Sequence, residues 1–455
     1  MQKTGYRKRL IDPKVDFYLS TFGALCIEGP KWCGKTWTST MHSKSAFMLA
    51  DPSDNFANRE LARMDVSKAL EGDAPHLIDE WQEVESTWDA VRYSVDQSTE
   101  SGRYILTGSS TPPKKGVVHS GTGRIAILAM HPMSLFERGE SSGVVSVSDV
   151  CAGKDIGVQT VKSPSLEELV SFVVCGGWPG SLGKTPRQAA AIPREYVENV
   201  IKIDIPKLDG IYRDQAKVRK CLRSLARNES TTVALATIRD DVEEYDAVSL
   251  SINTVGGYLD AFRRIYLTND IEPFSTFLRS PARIKQSVKR YFCDPSIAAA
   301  LLGASEKMLL RDLRTFGFLF ESLAIRDLQI YAEALDARLF HYQDYDGREI
   351  DAVIQSDDGA WSAFEIKLNP ADVDEAATKL KKTASIFRHN PPTSLSVVVG
   401  KSGIAHRRED GVYVLPITSL RPEGRASSST KPFRRFSCFR NRRKLCCGIC
   451  WESIV

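Results

Sequence analysis

Short apolar runs that stop at turn residues alternate with helical stretches through the N-terminal third of the chain. Ala24-Leu25-Cys26-Ile27-Glu28 ends at Gly29, and a helix-compatible stretch opens at Lys35, giving the order strand, loop, helix. Similar runs follow at Ala46-Phe47-Met48-Leu49, His76-Leu77-Ile78 and Arg103-Tyr104-Ile105-Leu106. Strands alternating with helices predict a parallel α/β sheet covered on both faces. Ser141 to Gly157, rich in Ser, Gly and Val and without helical period, predicts a surface excursion, with a mainly helical segment behind it.

From Asp214 the pattern predicts a helix over Ala216 to Arg227, a short helix near Ala236, and Ser251-Ile252-Asn253-Thr254 leading into Val255 to Phe262. Arg264-Ile265-Tyr266-Leu267 then reads as a strand, and three helices followed by a strand resemble a winged helix. A helix around Phe316 to Tyr331 precedes alternating strands at Glu349 to Ile354 and Ala363 to Leu368, a second α/β unit. From Arg421 the chain turns to Pro, Ser, Arg and Cys without period, which predicts a mobile tail.

Length changes this picture only by requiring several cores, since 455 residues exceed a usual domain of ~100–200. With 42% hydrophobic and 26% charged residues the balance is that of a globular protein. No run approaches the ~18 apolar residues of a membrane span, and basic Met1 to Leu10 lacks the apolar segment of a secretory signal. A cytoplasmic protein with no membrane partner is expected. Cys26, Cys33, Cys151, Cys175, Cys221 and Cys293 read as reduced, mostly buried thiols, and Cys438, Cys446, Cys447 and Cys450 cluster in the tail without a zinc framework. Residues 421–455 carry nine Lys or Arg against Glu423 and Glu452, so the net +4 of the whole leaves the body at −3. General basicity therefore cannot argue for nucleic-acid binding by the folded part.

Gly29-Pro30-Lys31-Trp32-Cys33-Gly34-Lys35-Thr36 carries the spacing that lets consecutive backbone N–H groups wrap a polyphosphate at a helix N-terminus. Lys35 would reach the β- and γ-phosphates of ATP and Thr36 would coordinate Mg2+. The strand His76-Leu77-Ile78 delivers Asp79, a ligand to Mg2+ through water, and Glu80, which would polarise the attacking water. The next strand delivers Thr107 and Ser109, which either orient water or sense the γ-phosphate, or else make a simple turn. Arg124 either neutralises transition-state charge, in cis or across a subunit boundary, or makes a surface salt bridge.

These motifs, with Leu77-Ile78-Asp79-Glu80-Trp81-Gln82, Ile105 to Ser110 and Met133-Ser134-Leu135-Phe136-Glu137, resemble prokaryotic AAA-superfamily ATP-binding proteins that carry a C-terminal domain of uncharacterised function. The resemblance continues through Gly176-Gly177-Trp178-Pro179, Asp294-Pro295-Ser296 and Glu365-Ile366-Lys367, up to about residue 420. Together with the patterns above it gives an α/β chain in five parts: an AAA-like ATP-binding domain over 1–140, a linker and helical lid over 141–205, a winged-helix-like domain over 206–290, a restriction-endonuclease-like unit over 291–420, and, beyond the resemblance, a basic tail over 421–455.

A second constellation supports the fourth part. Glu321 lies on a helix, Glu349 and Asp351 two apart on one strand, and Glu365 and Lys367 two apart on the next, so each strand pair shares a face. The pattern resembles a restriction-endonuclease core in which Asp351, Glu365 and Glu321 bind a metal and Lys367 assists phosphodiester cleavage; an inactive scaffold is the competing reading. The helix from Thr254 to Arg264 offers only Arg263 and Arg264 as phosphate contacts. His119, His131 and His341 have no metal-like spacing. The expectation is a Mg2+-dependent ATPase controlling a DNA-directed, nuclease-like module, with oligomerisation open. The alternative is a non-enzymatic, ATP-dependent switch that binds a protein partner.

Overall fold

The structure is a computed structural model describing residues 5–111, 120–243, 250–275 and 287–423. The first unit is a five-stranded sheet of β1 (Ala24–Glu28), β2 (Ser45–Met48), β3 (His76–Asp79), β4 (Tyr104–Gly108) and β5 (Ile125–Ala129), in the order β2-β3-β4-β1-β5 with every pair parallel. Alternation sorts β1 onto two cores: Leu25 and Ile27 pack with Leu77, Ile105 and Met130, while Ala24 and Cys26 pack with Ile78, Leu106, Trp81 and Trp88. Because the strands are parallel and in register, with Glu28 opposite both Gly108 and Ala129, the residues that follow β1, β3 and β4 leave the sheet at the same edge.

The helices of the middle segment include Leu166–Cys175, Ala191–Asn199, Gln215–Arg227, Leu235–Glu243 and Ile252–Arg264. A π-helical turn, Val200–Asp204, continues the second of these into the short helix Ile205–Lys207. The strand expected at Arg264 to Leu267 is not formed. The helix runs through Arg264, and Tyr266 takes a left-handed φ of 56°. A tertiary contact overrides the local preference there, since the Tyr266 hydroxyl donates to Glu28 at the end of β1. Antiparallel bridges follow at Thr268 to Phe292 and Ile271 to Lys289.

The C-terminal unit is a seven-stranded sheet in the order β7-β12-β13-β11-β10-β9-β8. Its strands are β7 (Gln159–Thr160), β8 (Arg338–Gln343), β9 (Glu349–Gln355), β10 (Trp361–Lys367), β11 (Ser394–Val399), β12 (Ile404–Arg407) and β13 (Tyr413–Pro416). The buried helix Leu313–Ala334 packs against it. Two boundaries differ from the expectation. Val145, Val147 and Val150 are buried, so the segment after Ser141 enters the core, through elements too short to show a period. Its strand β6 (Val145–Ser146) pairs with β14 (Leu420–Arg421), so Arg421 belongs to the fold; residues 424–455, with the four tail cysteines, lie outside the described residues.

Three motifs that carried the resemblance meet in one buried node. Gly177 N and the Arg326 guanidinium both donate to Asp294 Oδ2, at 2.8 Å each, and Trp178 Nε1 donates to Ser296 Oγ at 2.9 Å. Arg326 also pairs with Asp327, whose Oδ2 accepts from Leu135 N at 2.9 Å. Buried charges of this kind are tolerated because each is hydrogen-bonded and paired.

Among the described residues no helix is long and apolar enough to cross a membrane. Leu420 is buried, and its carbonyl accepts from Ser141 Oγ at 2.7 Å. A chain ending at Ser419 is expected to melt at least about 2 °C below one ending at Glu423, because it loses this burial and the β6–β14 pairing. Equal melting temperatures by calorimetry would contradict the pairing.

Candidate functional site

The loop between β1 and the helix Lys35–His42 is shaped by two glycines. A Cβ on Gly29 would meet Met130 O at 2.2 Å, and Gly34 takes a φ of 109°, so neither position admits a side chain without strain. Pro30 and Cys33 are buried against the sheet, whereas Trp32 is exposed and Lys31 reaches out to Asp204 at 2.6 Å. Lys35 is buried, and its Nζ donates to Gly29 O at 2.8 Å and Pro30 O at 2.9 Å, folding the ammonium back over the loop.

β4 lies between β1 and β3, and that insertion brings the other expected residues to the loop. Thr36 and Thr107 both donate to Asp79 Oδ1, at 2.9 and 2.7 Å. Thr107 Oγ1 accepts from Glu80 N at 2.9 Å, and Ser109 Oγ donates to Glu80 Oε2 at 2.7 Å, with Gln82 Nε2 on the same oxygen. Burial pushes the Asp79 carboxyl above the usual range, reinforced by Glu80 and opposed by the Thr107 and Thr36 hydrogen bonds. Thr107 and Ser109 thus hold the acidic pair rather than form a bare turn.

Arg9 completes the loop and has no motif to announce it. It is buried, with Nη1 donating to Cys33 O at 2.7 Å, Nη2 to His131 O at 2.8 Å and Nε to Glu137 Oε1 at 2.8 Å. Two cavities flank the loop. One, of about 300 Å³, opens beside Gly34 and is lined by Tyr6, Arg7, Trp37, Met133, Pro179 and Leu182. The other, of about 440 Å³, lies at the Glu80 end, between Lys31, Gln82 and Ser109 on one side and Tyr196, Asp204 and Lys207 on the other.

For Arg124 the reading in cis is corrected. It precedes β5, with its carbonyl accepting from Ala24 N, which puts it at the opposite edge of the sheet from the loop. Its guanidinium pairs with Asp96 at 2.7 Å, the surface salt bridge of the two readings. It does not reach the phosphate loop of its own chain.

In the C-terminal unit Glu321, Asp351, Glu365 and Lys367 do come together, but with two lysines that spacing did not reveal. Lys289 Nζ lies 2.6 Å from Glu321 Oε1 and 3.4 Å from Asp351 Oδ1; Lys367 and Lys379 lie 2.9 and 3.6 Å from Glu365 Oε1. Ile366 N donates to Asp351 Oδ2 at 2.9 Å, and Glu349 instead pairs with Gln343. Three ammonium groups face three carboxylates, so the charge excess that would have called for a divalent ion is already offset. Among the described residues no group of three His, Cys, Asp or Glu side chains is arranged to hold a metal. Glu321, Asp351 and Glu365 are therefore an ion-pair cluster with Lys289 in the cation position, not a formed metal site. Burial, then the charge of Asp351, pushes Glu365 up to about 7, and Glu365 Oε2 has no hydrogen-bond partner. Burial opposes ionisation of Asp351 too, but Lys289 and Lys367 hold it below the usual range.

The candidate DNA contacts are engaged as well: Arg263 pairs with Asp270 at 3.2 Å and Arg264 with Asp209 at 2.8 Å. His131 pairs with Glu333, and His341 faces Ser287 O; His119 lies outside the described residues.

Residues 21–138 match the AAA domain family. The N-terminal sheet thus resembles an AAA-type P-loop domain. Residues 166–308 and 316–420 match two domains of unknown function, DUF8612 and DUF4143. No curated protein matches the chain. Among solved structures, the Walker-type ATPase of Pyrococcus abyssi aligns at 14% identity over 64% of this chain and 94% of its own, with a TM-score of 0.40. The Aeropyrum pernix ORC2 protein, in ADPNP–ADP complexes, aligns at 13% identity over 67% and 93%, with a TM-score of 0.28. The Aeropyrum pernix ORC1 protein in complex with DNA aligns at 11% identity over 66% and 92%, with a TM-score of 0.22. Likeness at this level does not extend to function.

The Glu365 cluster gives a pH test. A carboxyl raised from 4.5 to about 7 keeps its proton in the fold while the unfolded chain has lost it, so its contribution to stability is full below pH 4.5 and lost as pH rises through 7. The melting temperature of Glu365→Gln minus that of wild type is expected to grow between pH 5 and pH 8. A difference that is flat or shrinks would contradict the cluster geometry.

Proposed function

We propose that the chain is a Mg2+-dependent ATPase whose site comprises the loop 29–36, Asp79, Glu80, Thr107 and Ser109. The observation that carries this reading is the single Asp79 oxygen shared by Thr36 and Thr107, which joins the phosphate loop, the acidic strand end and the strand between them at one point. The donors fit the metal: a hydroxyl and a carboxylate are hard oxygen ligands, and the Thr36 hydroxyl already lies against the Asp79 carboxylate, whose charge burial disfavours and Lys35 favours. When bound, Mg2+ would neutralise charge on the transferring phosphoryl group. Lys35 would exchange the Gly29 and Pro30 carbonyls for phosphate oxygens, and the loop N–H groups would take the remaining charge. Glu80, held by Ser109 and Gln82, would orient the attacking water. The recess beside Gly34 and Trp37 suits the nucleoside, since it is mostly apolar and opens at the helix turn that carries Thr36.

For the C-terminal unit the lysine-filled cluster favours the scaffold reading over phosphodiester cleavage. We infer that nucleotide state acts through it on a bound partner, with DNA and a protein as the two candidates.

Lys35→Ala is expected to weaken ATP binding at least about tenfold with folding intact, because it removes the ammonium that meets the phosphates. Glu80→Gln should bind ATP like wild type and hydrolyse it about 100-fold more slowly. Nucleotide titration with a phosphate-release assay separates the two phenotypes, and unchanged ATP binding in Lys35→Ala would sink the assignment.

A further inference from the structure

The β1–β4 ladder ends where Glu28 faces Gly108, and the next residue already belongs to the hydrolytic part of the site, since Ser109 Oγ donates to Glu80 Oε2 at 2.7 Å. Ser109 has left the sheet, so its position depends on what holds the chain beyond it. Three residues past Gly108, Thr111 N donates to Arg264 O at 2.8 Å, and Thr111 O accepts from Arg264 Nε at 3.2 Å. Arg264 is the last residue of the middle-segment helix Ile252–Arg264.

Tyr266, two residues beyond that helix, ties this anchor back to β1. Its hydroxyl has one hydrogen, which goes to Glu28 Oε2, so in the 2.9 Å contact with Thr111 Oγ1 the threonine donates. The bonds run from Thr111 to Tyr266 to Glu28 and end on a half-buried carboxylate. A hydroxyl on a carboxylate withdrawn from water is a strong hydrogen bond, and burial, which pushes the Glu28 carboxyl up, is opposed first by Tyr266. Tyr266 makes this bond from a left-handed backbone, φ 56°, a conformation that a residue with a Cβ keeps only where its surroundings over-determine it. Ser109 and Ser110 are therefore suspended between two fixed ends, Gly108 in the sheet and Thr111 on the middle segment.

We propose that Tyr266 is a positioning residue for hydrolysis: by tying Thr111 to Glu28 it sets Ser109, and through Ser109 the carboxylate of Glu80. This rests on the ATPase reading above. The effect falls on turnover and not on nucleotide binding, because the loop 29–36 has supports of its own in Arg9 at Cys33 O and Lys35 at the Gly29 and Pro30 carbonyls. The middle segment thereby governs the rate of hydrolysis without touching the nucleotide.

The test combines titration of ADP and a non-hydrolysable ATP analogue, with Mg2+, and steady-state ATP hydrolysis on wild type, Tyr266→Phe, Thr111→Val, Tyr258→Phe, Glu80→Gln and the double variant of Glu80→Gln with Tyr266→Phe. Tyr258 is a buried tyrosine of the same helix and serves as the control. Tyr266→Phe removes one oxygen; it should bind both nucleotides within about twofold of wild type and lose about tenfold in kcat with KM unchanged. Thr111→Val cuts the same chain of bonds from its exposed end and should show the same split, which decides the matter where Tyr266→Phe folds poorly. Tyr258→Phe should match wild type. In the Glu80→Gln background Tyr266→Phe should cost nothing further, because residues that act through one another are not additive. Wild-type kcat in folded Tyr266→Phe or in Thr111→Val, a loss of nucleotide affinity in place of kcat, an equal loss in Tyr258→Phe, or a fully multiplied loss in the double variant would each overturn the proposal while leaving the ATPase reading in place. A wild type that hydrolyses no ATP would overturn the two together.

Discussion

The Arg9 guanidinium sits in the core and spends its donors on three separate parts of the first unit. Through Cys33 O it fixes the phosphate loop, through His131 O the segment after β5, and through Glu137 the capping box that begins with Ser134. Glu137 is itself buried, and its remaining capacity is met by Leu10 N, Ser134 N and Ser134 Oγ. A buried pair of this kind is not stabilising merely because it is a salt bridge, but removing one member leaves the other unpaired and costs about 3–5 kcal/mol. The loop therefore keeps its shape only while the N-terminal segment, β5 and the Ser134 turn stay assembled.

The same turn passes the constraint on. Leu135 N donates to Asp327, Asp327 is held by Arg326, and Arg326 holds Asp294, which in turn fixes Gly177. A polar path thus runs from the phosphate loop to the helix Leu313–Ala334 that carries the Glu321 cluster. A second path leaves β1 directly, from Glu28 to Tyr266 and from Tyr266 to Thr111, just beyond Ser109. Both depend on discrete hydrogen bonds, so a change in the loop would have defined groups to act upon.

What the sequence made legible was local. The apolar run at Ala24–Glu28, the glycines and lysine of the loop, and Asp79-Glu80 at a strand end need only neighbours in the chain, and each is where the pattern puts it. Glu321, Asp351, Glu365 and Lys367 also converge, because alternation and a helix fix their faces. What failed was long-range. Lys289 reaches the carboxylates from the far side of a bridge to Ile271, and nothing in its own neighbourhood marks it, yet it reverses the charge argument for a metal. Arg9 lay in a basic stretch that looked like any N-terminal arm. The left-handed Tyr266 and the β6–β14 pair likewise depend on partners distant in sequence.

An ATPase site at this loop requires the phosphates to lie within it. A crystal structure with a non-hydrolysable ATP analogue and Mg2+ would locate them. It should place the phosphates inside residues 29–36, with Lys35 Nζ moved from the Gly29 and Pro30 carbonyls onto phosphate oxygens and Mg2+ beside Thr36 and Asp79. Nucleotide bound elsewhere, with Lys35 still folded back on the loop, would contradict it.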